Sequence, residues 1–263
     1  MKLELLTREP EANARPTPIL FIHGAYHGAW CWEGKFLPYF SSRGYISHAM
    51  SLRGHGRSEG HERLFWTSIE DYVNDVAQVV EGMEIPPILV GHSMGGYVVQ
   101  KYLEKHRAPA AVLLASTPKK GILAFSMRFA RKHPMPWLKF VVMLNPYQAV
   151  STPELAKEMF LSPDVAEERV MECYTRLQNE SYRATLDMFL LNLPKPKRVK
   201  KTPILILSAA NDTISTIKEQ EDTASAYGTS AEVCSDIAHD MMLEEGWQDI
   251  ADKIIAWLHE QGL

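Results

Sequence analysis

Three cysteines in 263 residues are too few and too scattered to build a domain on disulfides. Cys31, Cys173 and Cys234 show no C-x-x-C spacing, so they are expected as buried free thiols in a reducing compartment, not as a zinc site. Long apolar runs are missing as well. No stretch approaches the roughly 18 uninterrupted apolar residues of a membrane span. The N-terminal Met1 to Glu9 mixes charges into its apolar residues and offers no signal-peptide core. A cytoplasmic protein with no stable membrane insertion is the expectation. Nor is there an excess of positive charge: 28 Lys and Arg against 32 Asp and Glu give a net −4, which argues against a nucleic-acid partner. Internal repeats and low-complexity blocks are absent, which sets aside solenoids and disordered linkers.

What remains is an ordinary globular composition, 46% hydrophobic and 23% charged, long enough for one large domain with an insertion. Four short apolar runs stand out: Ile19 to Ile22, Ile88 to Val90, Ala111 to Ala115 and Ile204 to Leu207. Each has strand length and lacks alternation, as expected of a parallel sheet covered on both faces. Weaker strands are expected at Tyr45 to Met50 and Glu232 to Ile237. Ile69, Tyr72, Val73, Val76, Val79 and Val80 keep a 3.6-residue period behind Ser68, a suitable cap. A last helix is expected near Trp247 to His259. Strands alternating with helices predict an α/β fold, a doubly wound, mostly parallel sheet with right-handed crossovers.

One region breaks the rhythm. From about Pro118 to Lys201 the pattern is helical, rich in Met and aromatic residues and punctuated by prolines. The expected organisation is a core of residues 1–117 and 202–263, with residues 118–201 inserted as a helical lid. Met127, Met135, Met143, Met159, Met171 and Met188 give it an adaptable apolar character suited to walling a pocket. Lys195, Lys197, Arg198, Lys200 and Lys201 read as a solvated connector back to the sheet.

Chemistry concentrates at Gly91-His92-Ser93-Met94-Gly95-Gly96, a G-x-S-x-G turn between an apolar run and a helical segment. Such a turn is tight, so the neighbours of Ser93 must lack clashing side chains. It lifts the hydroxyl above the sheet at a helix N-terminus, where free N–H groups favour developing negative charge. At this point the chain resembles the α/β-hydrolase superfamily of serine esterases and lipases along essentially its whole length. Ile22-His23-Gly24-Ala25-Tyr26-His27-Gly28-Ala29-Trp30 is similar to the branch with plant methyl esterases, hydroxynitrile lyases and bacterial carboxylesterases. Arg53-Gly54-His55-Gly56-Arg57-Ser58 is widespread, including in monoacylglycerol-lipase-like members.

The resemblance implies the α/β-hydrolase fold and a chain order of nucleophile, acid, histidine. Ser93 is then the nucleophile, Asp212 in Ser208-Ala209-Ala210-Asn211-Asp212-Thr213 the acid, and His239 after the last strand the base. Asp236 and Asp240 are alternative acids, but adjacency to His239 suits ring orientation poorly. An oxyanion is stabilised by two backbone N–H groups aimed at one point. The first is assigned to Met94 and the second, through the family's H-G-x pattern, to Ala25. Gly24 lets that loop bend close, and His23 braces it. His23 and His27 lie on a loop with no third ligand, so no metal or other cofactor is expected. The intact His23-Gly24 argues for ester hydrolysis over lyase chemistry, as does Asp240 where the lyases carry lysine. Ser51 stands where the family commonly has an acid.

The expected partner is a small-molecule ester of small to medium size and largely apolar; a homodimer is left open. The expected activity is carboxylic ester hydrolysis through an acyl-enzyme. Alternatives with the same triad are a monoacylglycerol lipase or lysophospholipase, a lactonase and a thioesterase, and from another class a non-catalytic ligand receptor on the same fold.

Overall fold

A computed structural model describes residues 1–12 and 14–263. Among the described residues seven strands form one sheet: β1 (Glu4–Arg8), β2 (Ile19–Ile22), β3 (Ser47–Ser51), β4 (Ile88–His92), β5 (Ala111–Leu114), β6 (Ile204–Ala209) and β7 (Ala231–Cys234). Their order is β1-β3-β2-β4-β5-β6-β7. Only β1 runs antiparallel to its neighbour; the other five pairings are parallel. The fold is thus the doubly wound, mostly parallel α/β sheet expected from the sequence.

The apolar runs lack alternation because both faces of the sheet are covered. Ile19, Phe21, Ile88, Val90, Val112, Leu114, Leu205 and Leu207 point to one side, packing on α1 (Trp30–Glu33), α2 (Phe36–Ser42) and α11 (Trp247–Glu260). Leu20, Ile22, Leu89, Leu113, Ile204 and Ile206 point to the other, toward α3 (Ile69–Glu81), α4 (Met94–Tyr102) and α10 (Ile217–Tyr227). Ser68 caps α3 through a reciprocal pair with Asp71, its hydroxyl accepting the Asp71 N–H at 3.1 Å while the Asp71 carboxylate accepts the Ser68 N–H at 2.9 Å. The parallel register aligns the ends of β2, β3, β4, β5 and β6 at one edge of the sheet, with Ile22 opposite both Met50 and Gly91 and Leu114 opposite Leu207. Every loop that leaves this edge opens onto the same space.

Between β5 and β6 the chain forms α5 (Leu123–Lys132), α6 (Pro134–Met143), α7 (Pro153–Phe160), α8 (Glu167–Tyr174) and α9 (Tyr182–Leu186), followed by one π-type turn at Asp187–Leu191. Pro134 and Pro153 open their helices, where the missing N–H costs nothing. A separate cluster of Phe129, Val150, Met159, Phe160, Val170, Cys173 and Leu177 holds the segment together.

Several local expectations shift. The strand expected over Tyr45 to Met50 spans Ser47–Ser51, and the one over Glu232 to Ile237 stops at Cys234. β1 adds an edge strand where no strand was expected. The three cysteines are buried free thiols. Among the described residues no helix is long and apolar enough to cross a membrane.

Candidate active site

At the end of β4 the chain reverses through Ser93, which has φ +49° and ψ −117° before α4 begins. A side-chain-bearing residue held there is strained, and the surroundings must enforce it. Ser93 N–H donates to the Leu114 carbonyl at 3.1 Å, and the Ser93 carbonyl accepts from Thr117 N–H at 3.0 Å. The flanking glycines are required by space. A Cβ on Gly91 would lie 2.5 Å from the Gly95 carbonyl oxygen, and one on Gly95 would lie 2.3 Å from the Ile22 carbonyl oxygen. Gly24 is of the same kind: its Cβ would meet Ser93 Cβ at 2.9 Å and His92 Nδ1 at 2.8 Å. The loop after β2 therefore lies directly against the serine turn because residue 24 has no side chain.

Asp212 sits in the loop after β6. Its carboxylate accepts the Ile214 N–H at 2.7 Å, the Ser215 N–H at 3.2 Å and the Ser215 hydroxyl at 3.0 Å. The remaining lone pairs face His239 Nδ1 at 2.9 Å, with both side chains buried. A carboxylate only accepts, so Nδ1 carries the proton, and Nε2 is left as the basic nitrogen. Nε2 is buried and has no hydrogen-bond partner among the described residues. Burial acts to lower the His239 pKa, but the charges of Asp212 and Asp240 and the Asp212 hydrogen bond outweigh it and hold the ring above the ordinary imidazole value. Ser93, Met94, Ala25 and His239 line one cavity of about 60 Å³. Its other walls are mainly apolar, with Ile122, Phe125, Met159, Phe160, Met188 and Ile214. Of the methionines between β5 and β6, only Met159 and Met188 reach it; Met127, Met135, Met143 and Met171 are exposed.

His23 donates from Nδ1 to the Gly24 carbonyl at 2.7 Å and accepts the Leu52 N–H on Nε2 at 3.0 Å, which fixes a neutral tautomer. Burial first, then the neighbouring His55, pushes its pKa well below the imidazole norm. Both ring nitrogens are spent on backbone, tying the loop to the end of β3. Gln178 and Glu180 hold it from the other side. Gln178 N–H donates to the Tyr26 carbonyl at 3.0 Å, and Glu180 accepts from His55 at 3.1 Å and from the Tyr72 hydroxyl at 2.7 Å. Burial alone would raise the Glu180 pKa, but His55, Tyr72 and the Ser181 N–H keep it below the carboxylate norm.

Sequence reasoning missed Glu180 and a second buried pair. His27 Nδ1 faces the Ala25 carbonyl at 2.8 Å and Nε2 faces Asp240 at 2.9 Å, with both side chains fully buried. Two acceptor-only partners require a proton on each ring nitrogen, so this is an imidazolium–carboxylate pair. Burial opposes the charge on His27, yet Asp240 raises its pKa well above normal; burial opposes the charge on Asp240, yet His27 lowers its pKa. Asp240 also lies 3.6 Å from His92, whose Nε2 donates to the His239 carbonyl at 2.9 Å. The hint in the sequence was His27 on a loop and an aspartate directly after His239. Asp240 thus engages His27 and is not the partner of His239 Nδ1, and Asp236 is exposed.

Two groups of buried donors, His27 with Cys173 and Asp240, and His92 with His239 and Asp240, are compact enough to hold a metal. In both, Asp240 is committed to a protonated imidazole, which suits an ion pair better than metal ligation. The acid missing at Ser51 is replaced from β1: the Ser51 hydroxyl donates to the Glu4 carboxylate at 2.7 Å and accepts the Ala29 N–H at 2.8 Å.

Comparison with known proteins agrees with this architecture. Over 101 residues the chain is 34% identical to a pyrethroid hydrolase of Sphingobium wenxiniae, covering 38% of this chain and 35% of that one. Over 109 residues it is 35% identical to a non-heme chloroperoxidase of Streptomyces lividans, covering 38% and 37%. The chain therefore spans little more than a third of the length of these curated relatives. A solved structure of a monoacylglycerol lipase from Paleococcus ferrophilus superposes with a TM-score of 0.74 at 18% identity, covering 99% of this chain and all of that one, a likeness of fold alone. The model of the alpha/beta hydrolase family matches residues 19–253, so the chain that carries this serine turn and buried Asp–His pair belongs to that family.

Proposed function

We propose that the protein is a serine hydrolase that cleaves carboxylic esters of small to medium, largely apolar substrates. The observation that carries this reading is His239, oriented by Asp212 and presenting an unpaired Nε2 to the cavity that Ser93 lines. Ser93 Oγ attacks the ester carbonyl carbon while its proton passes to His239 Nε2. The tetrahedral oxyanion is held by the N–H groups of Ala25 and Met94, each worth about 2.7–4 kcal/mol of barrier in such sites. Collapse breaks the carbon–oxygen bond to the alcohol, which leaves with the proton from His239. Water then attacks the acyl-Ser93 ester by the same route, releasing the acid and restoring the hydroxyl. Asp212 fixes the ring tautomer and stabilises the imidazolium without taking the proton.

The cavity of about 60 Å³ admits an acyl group of few carbons unless Met159, Met188 and Phe125 shift. The helices between β5 and β6 act in this reading as a lid that walls the acyl site.

The test is hydrolysis of p-nitrophenyl esters from acetate to palmitate by the wild type and Ser93→Ala. Turnover of the short esters that disappears in the variant supports the reading. Folded wild type with no activity on any ester refutes it and favours a ligand receptor on the same fold. A second reading has a specific support, the chloroperoxidase relative. If hydrogen peroxide intercepts the acyl-enzyme, a peracid leaves in place of the carboxylic acid; peroxide-dependent halide oxidation with acetate as the acyl source tests it.

A further inference from the structure

α6 has the sequence Pro134-Met-Pro-Trp-Leu-Lys-Phe-Val-Val-Met143, apolar on nearly every side, and none of its residues is buried. A helix apolar all round is ordinarily found inside a protein. Here Met135, Leu138, Val141, Val142, Met143 and the following Leu144 are all exposed, Val142 by 72%. The surface does not end with the helix. Phe140 packs on Tyr182 and Phe189, Tyr182 stacks on Phe65, and Phe65 contacts Trp66, itself 74% exposed. Leu190 and Leu191 extend it past Phe189. A groove of about 270 Å³ lined by Met127, Trp137, Phe140, Val141, Leu186 and Phe189 runs through the patch. Exposed apolar surface so continuous marks a place where something docks.

Charge decides what. From Lys105 to Pro153 the chain carries eight Lys and Arg and not one Asp or Glu. Two of the cations near the patch are neutralised from outside this stretch, Arg128 by Glu219 and Lys132 by Glu158. Among the described residues no carboxylate lies within salt-bridge reach of Arg131 or of Lys139 on α6 itself. A second copy docked by a two-fold axis would bring two such cation-bearing faces together, with no acid from residues 105–153 of either copy to pair them. An apolar face bordered by unpaired cations fits a surface that is apolar inside and negative at its boundary.

We infer that α6 and its aromatic neighbours are a docking surface for an anionic lipid bilayer, with α6 lying in the head-group boundary and Lys139 and Arg131 at the level of the phosphates. Ten residues rise only about 15 Å, half of a bilayer's hydrocarbon thickness, so the helix lies on the membrane and does not span it. α5 and the segment α9 to Phe189 divide this groove from the cavity of Ser93: Phe125 and Met188 face the cavity, while Met127 and Phe189 face the groove.

The test is co-sedimentation of the full chain with phosphatidylcholine vesicles and with vesicles of equal phosphatidylcholine and phosphatidylglycerol. The expected result is binding to the mixed vesicles that weakens with salt, and on the order of tenfold less binding by Leu138→Asp and Val142→Asp. Circular dichroism and hydrolysis of a soluble ester verify that both variants remain folded; both positions lie outside the Ser93 cavity. No binding to either vesicle, equal binding to both, or binding untouched by the two folded variants overturns the inference. A dimer at sedimentation equilibrium that these substitutions dissociate overturns it in favour of a second copy.

Discussion

The buried pair of His27 and Asp240 gives a sharp test of the electrostatic argument. Both side chains are fully buried, their charged atoms are 2.9 Å apart, and no solvent screens them. Replacing His27 by Gln leaves a carboxylate in the interior with no cation beside it. Replacing Asp240 by Asn leaves His27 without its counter-charge. Breaking one side of a buried pair costs about 3–5 kcal/mol. For a chain of this length each kcal/mol moves the melting temperature by roughly 2–4 °C, so each single variant should melt about 6–20 °C lower. The double variant carries no isolated charge and should be more stable than either single one, with a coupling of at least about 1 kcal/mol. The pH dependence has a definite sign. The raised pKa of His27 contributes stability that is complete below the ordinary imidazole value and is lost as pH rises through the folded value. The lowered pKa of Asp240 contributes stability that is complete above the ordinary carboxylate value and is lost as pH falls through the folded value. The advantage of wild type over double variant is therefore largest between about pH 4 and pH 6.5 and declines at alkaline pH. Denaturant titrations of the four proteins at about pH 5.5 and about pH 9 measure all of this. Single variants within about 1 kcal/mol of wild type, with additive effects, would refute the ion pair.

Other outcomes follow from the same geometry. In the proposed reaction His239 must be neutral at Nε2 to accept the serine proton, so kcat/KM for ester hydrolysis should fall on the acid side with a midpoint above the ordinary value of about 6.5. Asp240→Asn, which removes one of the charges that raise His239, should shift that midpoint to lower pH; an unmoved limb contradicts the assignment. Gly95→Ala places a Cβ 2.3 Å from the Ile22 carbonyl oxygen at the end of β2 and 2.5 Å from that of His23 just beyond it, both backbone atoms, so it should yield little soluble protein. Soluble, active Gly95→Ala would contradict that packing. Ser51→Ala strands the Ala29 N–H and loosens Glu4, and should cost about 1–3 kcal/mol in a denaturant titration.

The sheet was legible where strands are buried on both faces, because an unbroken apolar run is all such a strand needs. β1 was not, since an edge strand with one half-buried face, Glu4 to Arg8, shows only a faint alternation. Ser93 announced itself through local sterics, the glycines that the turn demands. Asp212 and His239 were found through chain order, and nothing within the local sequence says that their side chains meet. Partnerships across long separations were beyond reach for that reason. His27 finds Asp240 213 residues away, and His55 finds Glu180 125 residues away. A pattern read in windows of one helix or strand carries no information on such pairs. The identity of the residue after His239 was visible, but its use as a counter-charge for another histidine depends on how two sheet-edge loops approach.

The segment between β5 and β6 is bonded to the very loops that carry Asp212 and His239. Asp240 N–H donates to the Phe160 carbonyl at 2.8 Å, the Ser162 N–H and hydroxyl both donate to Glu244 at 2.7 and 2.6 Å, and the Thr213 hydroxyl donates to the Glu158 carbonyl at 3.1 Å. Deleting these helices would not simply uncover the Ser93 cavity. It would remove the anchors of the loops on either side of His239, so that the sheet could assemble while the constellation upon it did not. The end of α7 is thus tied to the core, while Phe125 of α5 and Thr185 of α9 wall the cavity without making any of these bonds.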